Sequence, residues 1–177
     1  MTTLKIHDKY FVPFIGEQEL STQVKKIGAL ISEDYAGKRP LFISILNGSF
    51  MFAAELFKSI TIDAEICFIK LASYKGTKST GQVITAIGLD MDIKDRHIVI
   101  LEDIVDTGKT LSYFLPQVMN QQPASLKVAV LLHKPDAAIH KIDIGYCCFT
   151  IADKFVVGFG LDYNGLGRNL PSIYQLQ

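Results

Sequence analysis

Three short segments dominated by apolar residues constrain the fold more than any other feature of this chain. They are residues 41–46, 97–101 and 126–132. Short apolar runs of this kind are typical of strands buried on both faces, as in a parallel sheet. Segments with helical or polar patterns separate them, so strand, helix and strand alternate along the chain. The sequence therefore predicts an α/β domain with a mainly parallel sheet and helices on both faces.

The first helix is indicated by apolar residues that recur at helical spacing, with charged residues between them. Gly37 suits the end of this helix, because glycine readily adopts a positive φ. Ser49 is a candidate N-cap for a second helix over residues 50–59, and a third helix is expected around residues 111–121. The apolar positions of the first helix are Leu20, Val24, Ile27, Leu30 and Ile31.

Two further strands are predicted over residues 64–71 and 82–88, and a polar segment, residues 73–81, lies between them. This segment has no apolar periodicity, so we expect a long mobile loop or a hairpin. Long polar loops in compact domains often act as lids or binding loops. Ligands of parallel α/β sheets bind at the carboxyl ends of the strands, which directs attention to the loops after residues 46, 71, 101 and 132.

Composition narrows the class of protein. The length of 177 residues suggests one domain, and the 49% share of apolar residues predicts a dense core. Lys and Arg number 18, as do Asp and Glu, so the formal charge is zero, unlike that of a general nucleic-acid binder. Residues 1–10 lack a signal-peptide pattern, and no apolar stretch reaches the length of a membrane span. Cys67, Cys147 and Cys148 make a poor disulfide framework, so we expect reduced cysteines. Taken together, these features predict a soluble, cytoplasmic protein with no nucleic-acid or membrane partner.

The segment after residue 101 carries the chemistry. Glu102, Asp103 and Asp106 place three carboxylates close together in the chain, and carboxylates suit sugar hydroxyls and a hydrated Mg²⁺. The next residues lead into a helix, whose first N–H groups can bind a phosphate. Glycine there lets the backbone approach the anion, and threonine hydroxyls add donors. These residues are Thr107, Gly108, Lys109 and Thr110, and the whole segment predicts a site for a phosphorylated sugar.

Two other interpretations compete for this segment. A Walker A loop is one, because residues 108–110 read Gly-Lys-Thr, but that motif needs a glycine where Asp103 stands. The other is a charged helix N-terminus without function, which explains Asp106 and Thr107. It leaves the adjacent Glu102 and Asp103 at the end of a buried strand unexplained.

Residues 99–110 resemble the phosphoribosyl pyrophosphate (PRPP) binding motif of type I phosphoribosyltransferases. Other segments resemble the hypoxanthine/guanine branch of that family, and the matches run in the family's order from about residue 41 to residue 168. These segments are residues 46–50, 73–74, 134–135 and 153–164.

The resemblance implies the type I phosphoribosyltransferase fold as a single domain over residues 1–177. Its core is expected at about residues 38–160, and a small hood is expected from the terminal segments. The implied activity is transfer of the phosphoribosyl group from PRPP to a 6-oxopurine, hypoxanthine with guanine as a second substrate, to give IMP or GMP and pyrophosphate in purine salvage. Mg²⁺ is the implied cofactor, and a homodimer or homotetramer is the implied assembly.

The resemblance also implies roles at the sugar and its phosphates. Residues 106–110 hold the 5′-phosphate through backbone amides and hydroxyls. Glu102 and Asp103 face the ribose hydroxyls and the Mg²⁺, and Asp162 is a second metal-binding carboxylate. Carboxylates near the ribose favour the positive charge that builds up as the glycosidic bond breaks.

At the base, the resemblance makes Asp106 the general base that accepts the proton of purine N7. Lys134 donates to purine O6, which favours 6-oxopurines over adenine, because an amino group there leaves the cation poorly paired. Phe155 stacks on the purine, and Val156 contributes backbone groups. The further residues implied near the base are Lys154 and Asp162.

Pyrophosphate contacts are implied for Asn47, Gly48, Arg168 and the start of a mobile lid, Ser73 and Tyr74. Asn47 stands where many relatives have lysine, in a loop that presents backbone amides, often through a non-proline cis peptide. Lid closure would exclude water that could hydrolyse PRPP.

Two alternatives remain open at this point. One is a phosphoribosyltransferase that prefers xanthine, because backbone groups read the exocyclic 2-position. The other is a non-catalytic, nucleotide-sensing regulator on the same fold. Retention of Asp106 and Lys134 favours an enzyme.

Overall fold

The computed structural model describes residues 3–74, 83–88 and 91–177. The helices are α1 (Glu17–Asp34), α2 (Phe50–Lys58) and α3 (Lys109–Met119), with a short 3₁₀ turn at Pro135–Ala137. The strands are β1 (Leu4–Ile6), β2 (Lys9–Ile15), β3 (Leu41–Leu46), β4 (Glu65–Tyr74), β5 (Val83–Ile87), β6 (His97–Val105), β7 (Ser125–His133), β8 (Tyr146–Thr150), β9 (Val156–Val157) and β10 (Ile173–Leu176).

The larger sheet of the described chain has six strands in the order β5-β4-β3-β6-β7-β8. Strands β4, β3, β6, β7 and β8 are parallel, and β5 pairs antiparallel with β4 at one edge. The predicted mainly parallel sheet is confirmed. The parallel strands end at one edge, which brings the chain after β3, β6 and β7 together.

Helices cover both faces of this sheet, as predicted. Phe42 packs with α1 and α2 in one apolar cluster. Its neighbours Leu41 and Ile43 pack with α3 in another cluster on the opposite side. Alternate residues of β3 thus bury into both layers, which explains why the strand reads as an unbroken apolar run.

The second sheet joins the two ends of the chain. Its order is β1-β2-β10-β9, and its pairings are antiparallel. Ile6, Phe11 and Val157 form its own small apolar cluster. Three of its strands, β1, β2 and β10, come from the terminal segments, and β9 comes from Val156–Val157.

Strand β6 is longer than the sequence predicted. We expected the strand to end at residue 101 and a loop to carry the acidic pair, but pairing with β7 continues through Glu102↔Val130 to Val105↔His133. The ladder on β7 holds these polar residues in the strand. α3 begins at Lys109, two residues before the expected start.

One other local prediction needs correction. Ser49 precedes α2, but its side chain makes no capping bond and donates to Ile45 O at 2.5 Å. Ser73 and Tyr74 lie at the end of β4, where they pair antiparallel with Ile84 and Val83 of β5, in keeping with the hairpin alternative. The rest of the predicted lid, residues 75–81, lies outside the described residues, as does the predicted first residue of the next strand, Gln82.

Among the described residues no helix is long and apolar enough to cross a membrane. In the same part of the chain, Cys67, Cys147 and Cys148 form no disulfide.

Candidate active site

The carboxyl edge of the six-stranded sheet opens into two adjacent cavities. The larger has a volume of about 240 Å³ and is walled by β6, the start of β9 and the chain after β7. Its lining residues are Asp103, Ile104, Asp106, Lys134, Phe155, Val156, Leu161 and Asp162. The smaller, of about 90 Å³, is lined by Glu102, Ile104, Val105 and residues 106–111.

The acidic pair divides between these cavities. Neighbouring side chains on a strand point to opposite faces, so Glu102 lines the smaller cavity and Asp103 lines the larger one. Burial raises the pKa of Glu102 well above its usual value, and the charge of Asp103 raises it further. The Oε2 atom of Glu102 is buried and has no hydrogen-bond partner among the described residues. A cation or a donor from a ligand would supply the missing partner.

Within the described chain, the carboxylate of Asp103, unlike that of Glu102, has a hydrogen-bond donor and a nearby positive charge that offset its burial. Burial raises the pKa of Asp103 to about 6, against the opposing effects of the Ile104 N–H and the Arg168 charge. The Ile104 N–H donates to Asp103 Oδ1 at 3.0 Å. The nearby charge of Asp162 also raises this pKa. Asp103 and Asp162 therefore make one wall of the larger cavity acidic.

The backbone after β3 lies directly against Asp103. The peptide bond between Leu46 and Asn47 is cis. A Cβ added to Gly48 would collide with the Asp103 carboxylate, and one added to Gly160 would collide with the Gly48 carbonyl oxygen. Glycine at positions 48 and 160 thus allows the loop after β3, the acidic strand and the chain after β9 to meet.

The turn between β6 and α3 has the features of an anion site. Gly108 has φ 74° and precedes α3, and a Cβ there would collide with the carbonyl oxygen of His140. The Thr107 carbonyl accepts hydrogen bonds from the N–H groups of Ile139 and His140, at 3.0 and 2.9 Å. The first turn of α3 carries no acidic residue, so the positive end of the helix dipole faces the smaller cavity.

Lys134 holds a buried positive charge in the larger cavity. The residue is 5% exposed, and its backbone N–H donates to Val105 O at 2.9 Å. Its Nζ lies 3.5 Å from Asp106 Oδ2 and 3.2 Å from Asp153 Oδ1. The side chains of Asp106 and Asp153 are 46% and 64% exposed, respectively. The buried Lys134 ammonium is therefore paired with two carboxylates on the solvent-facing side of the cavity.

The apolar side of the cavity comes from the chain around β9. Phe155 is 43% exposed, and its ring meets that of Tyr163 edge to face at a centroid distance of 5.8 Å. Val156 is buried and pairs with Gln175 of β10. Leu161 completes this wall.

Some predicted residues are not among those lining the two cavities. Arg168 pairs with Asp162 Oδ1 at 2.7 Å and donates to Gly160 O at 2.8 Å, so both ends of its guanidinium are engaged. The Gly165 N–H donates to the second oxygen of Asp162 at 2.6 Å. Lys154 is exposed and precedes β9. Among the sequence-predicted residues whose side chains the structure describes, those outside the lining are Asn47, Gly48, Lys154 and Arg168.

Asp153 and Leu161 received no role from the sequence. Asp153 reaches Lys134 because the segment after β8 returns beside β7, where the Ile151 N–H donates to His133 O at 2.9 Å. No local pattern encodes that long-range contact. Leu161 precedes Asp162, the residue to which the sequence assigned a role in this segment. Nothing in the pattern around Leu161 indicated that the leucine itself lines the site.

Described residues contain no group of three His, Cys, Asp or Glu side chains that could hold a metal ion by themselves. Mg²⁺ is commonly bound through one or two carboxylates together with substrate oxygens and water. Glu102, with its unpartnered oxygen, and the half-buried Asp103 each offer one such carboxylate, the first in the smaller cavity and the second in the larger.

Comparison with known proteins points in one direction. The phosphoribosyl transferase domain family matches residues 16–164. The hypoxanthine-guanine phosphoribosyltransferase of Streptococcus pneumoniae (strain R6) is 43% identical over 160 residues, covering 90% of this chain and 89% of that protein. The protein of the same name from Lactococcus lactis is also 43% identical over 160 residues, covering 90% and 87%.

Solved structures give the same result. A hypoxanthine phosphoribosyltransferase from Staphylococcus aureus superimposes with a TM-score of 0.87 at 37% identity, covering 94% of this chain and 91% of that one. The hypoxanthine phosphoribosyl transferase of Trypanosoma cruzi superimposes with a TM-score of 0.86 at 30% identity, covering 98% and 95%.

Proposed function

The chain belongs to the phosphoribosyltransferase family, in its hypoxanthine-guanine branch, and on that premise we propose that it acts on 6-oxopurines with Asp106 as general base and Lys134 as reader of O6. It is an enzyme that transfers the phosphoribosyl group of PRPP to a purine base. Hypoxanthine is the proposed main substrate and guanine a second one.

One observation carries the choice of base: the Lys134 Nζ lies 3.5 Å from Asp106 Oδ2 inside the larger cavity. A 6-oxopurine presents O6, an acceptor, beside N7–H, a donor, on one edge of its ring system. A cation and a carboxylate side by side complement that edge. Adenine presents an amino group in place of O6, and this donor would face the Lys134 ammonium without an acceptor between them.

The chemical step follows from this placement. The purine attacks C1 of the ribose through a ring nitrogen, the bond from C1 to pyrophosphate breaks, and the N7 proton passes to the Asp106 carboxylate. Asp106 is well placed for this exchange because its side chain is half-exposed while its partner Lys134 is buried. Asp103, in the same cavity, favours positive charge on the ribose.

The smaller cavity is proposed to hold the 5′-phosphate. Its lining combines the N-terminus of α3, which bears no acidic residue in its first turn, with the hydroxyl groups of Thr107 and Thr110. Gly108 allows the backbone to approach the anion there. Glu102, at the other end of this cavity, is then suited to the ribose side of the ligand.

Mg²⁺ is the proposed cofactor, with Asp103 in the larger cavity as its protein carboxylate together with oxygens of the substrate. Glu102 points to the opposite face of β6, so one ion would not readily take both side chains. When bound, Mg²⁺ would neutralise the charge of the departing pyrophosphate. Asp162 is a weaker candidate ligand than the sequence suggested, because Arg168 and the Gly165 N–H already engage its two oxygens.

Assembly as a homodimer or homotetramer is also proposed. Support comes from a relative: in the Trypanosoma cruzi protein, the C-terminal region has a role in oligomeric state and enzymatic activity. Sedimentation of the purified protein distinguishes monomer, dimer and tetramer.

The function is tested by a spectrophotometric assay with PRPP, Mg²⁺ and one of hypoxanthine, guanine, xanthine or adenine. We expect turnover of hypoxanthine and guanine, with adenine slower by about 10⁴-fold. Rapid turnover of adenine would refute the role of Lys134. Faster turnover of xanthine than of hypoxanthine would replace the proposed substrate, and no turnover of any 6-oxopurine would overturn the substrate class.

A further inference from the structure

Lys9, at the start of β2, places its ammonium group against aromatic side chains. It is half-buried, and its Nζ is 4.8 Å from the ring centroid of Tyr163 and 5.7 Å from that of Phe155. Both distances fall within the range of a cation–π interaction. One ammonium group thus lies against two aromatic rings, and one of them, Phe155, lines the proposed purine cavity.

The same face of β2 supports these rings from a second position. Lys9 and Phe11 are two residues apart on a strand, so their side chains point to the same side. Phe11 is fully buried, and its ring lies 6.2 Å from Phe155 and 6.2 Å from Tyr163. Together the four residues form a compact unit that we call the aromatic support: Lys9, Phe11, Phe155 and Tyr163.

The turn before β2 anchors the far side of this support. The Tyr163 hydroxyl donates to Asp8 Oδ1 at 2.8 Å, and the His7 ring meets the Tyr163 ring edge to face at 5.7 Å. Tyr163 is therefore fixed by the β1–β2 turn, while Phe155 is 43% exposed. Lys9 bridges the fixed ring and the exposed one.

From this geometry we infer that Lys9 is a positioning residue for the purine, which acts by holding Phe155 in the orientation on which the base stacks. The inference rests on the proposed function, since it requires a purine against Phe155. A ring that is already oriented loses less conformational freedom when the base binds, so affinity rises. Lys9 is not among the residues lining the cavity with Asp106 and Asp103, so its effect should fall on purine binding and leave the chemical step unchanged.

The test compares Lys9→Met, which keeps the length of the side chain and removes its charge, with Lys9→Arg, which keeps the cation. We expect Lys9→Met to raise the KM for hypoxanthine about three- to tenfold, with kcat and the KM for PRPP unchanged. Lys9→Arg should retain a KM close to that of the original protein. The matched control is Lys5→Met, because Lys5 lies on the neighbouring strand and stacks on Tyr10 instead, at 5.6 Å.

Several results would overturn the inference: an unchanged purine KM in Lys9→Met, an equal rise in Lys5→Met, or a failure of Lys9→Arg to restore the KM. A Phe155→Leu variant distinguishes the proposed stacking of the purine on Phe155 from the proposed role of Lys9. If Phe155→Leu leaves the purine KM unchanged, the proposed stacking itself is wrong. If Phe155→Leu raises the KM and Lys9→Met does not, only the role of Lys9 is wrong. A double variant that is no worse than Phe155→Leu alone supports it, because Lys9 then acts through that ring.

Discussion

Lys134 occupies the most demanding position in the candidate site, because a buried ammonium group is costly unless it is paired. Its two carboxylate partners, Asp106 and Asp153, lie at 3.5 and 3.2 Å and are both largely open to solvent. A carbonyl oxygen of a base would add a third partner on the cavity side. The residue therefore combines a structural need with a recognition role, and Asp106 beside it is left exposed enough to exchange a proton.

Replacement of Asp106 by asparagine tests the proton transfer at the scale of one residue. Asparagine keeps the size of the side chain and an acceptor oxygen, but it cannot accept the N7 proton. We expect Asp106→Asn to lower kcat by about 10²- to 10⁴-fold, while PRPP binding measured by titration calorimetry changes little. Equal kcat values for the two proteins would remove Asp106 as the base.

At the scale of elements, the turn from β6 into α3 is held by backbone contacts. Gly37 and Gly108 have the same φ of 74°. A Cβ at position 108 would collide with His140 O, whereas nothing lies within 4 Å of a Cβ at position 37. Replacing each glycine by alanine therefore distinguishes two effects. Both positions share the strain of a positive φ, whereas only position 108 also has the steric collision with His140 O.

We expect Gly108→Ala to lower kcat/KM for PRPP by about 10²-fold, because the turn must move away from residue 140 and displaces the phosphate site. Gly37→Ala should keep its kinetic constants and lose only about 1–2 kcal/mol of stability. Steady-state kinetics and thermal unfolding of the two variants make the comparison. Similar kinetics for both variants would contradict the close-approach argument.

The elements also show what could be predicted from the sequence. Strands such as β3 could be predicted because burial on both faces leaves a continuous apolar run. The extension of β6 through Glu102 and Asp103 could not, since these residues disfavour strands and only pairing with β7 holds them there. The contacts of Asp153 with Lys134 and of Lys9 with Phe155 join residues that are distant in the chain, and local periodicity carries no information about them.

At the scale of the whole molecule, the two ends of the chain build the purine side of the site. β10 lies between β2 and β9 in the smaller sheet, and the Leu176 N–H donates to Phe155 O at 2.8 Å. Ile173 is fully buried, and a buried isoleucine contributes about 2 kcal/mol. Without β10, β2 would lose the strand that links it to β9, and an isolated hairpin is marginal in water.

Deletion of residues 173–177 tests this coupling between the chain ends and the site. We expect the Kd for hypoxanthine, measured by calorimetry, to rise by more than about tenfold, while far-UV circular dichroism still reports the larger sheet and its helices. The phosphate turn is built from β6 and α3 and held by the backbone at residues 139 and 140, all outside the deleted segment, so PRPP binding should survive. Loss of PRPP and purine binding to the same extent would show that the two parts do not separate in this way.

The order of strands in the smaller sheet has a consequence for the chain during its synthesis. Residues of β2 emerge from the ribosome well before those of their partner β10, and domains begin to fold as they are made. The larger sheet and its phosphate turn can therefore assemble first, whereas the wall that carries Phe155 closes only after residue 176 is released. Purine recognition thus matures after the phosphate turn, and a nascent chain cut short before β10 would carry the sugar-phosphate half of the site without the half that selects the base.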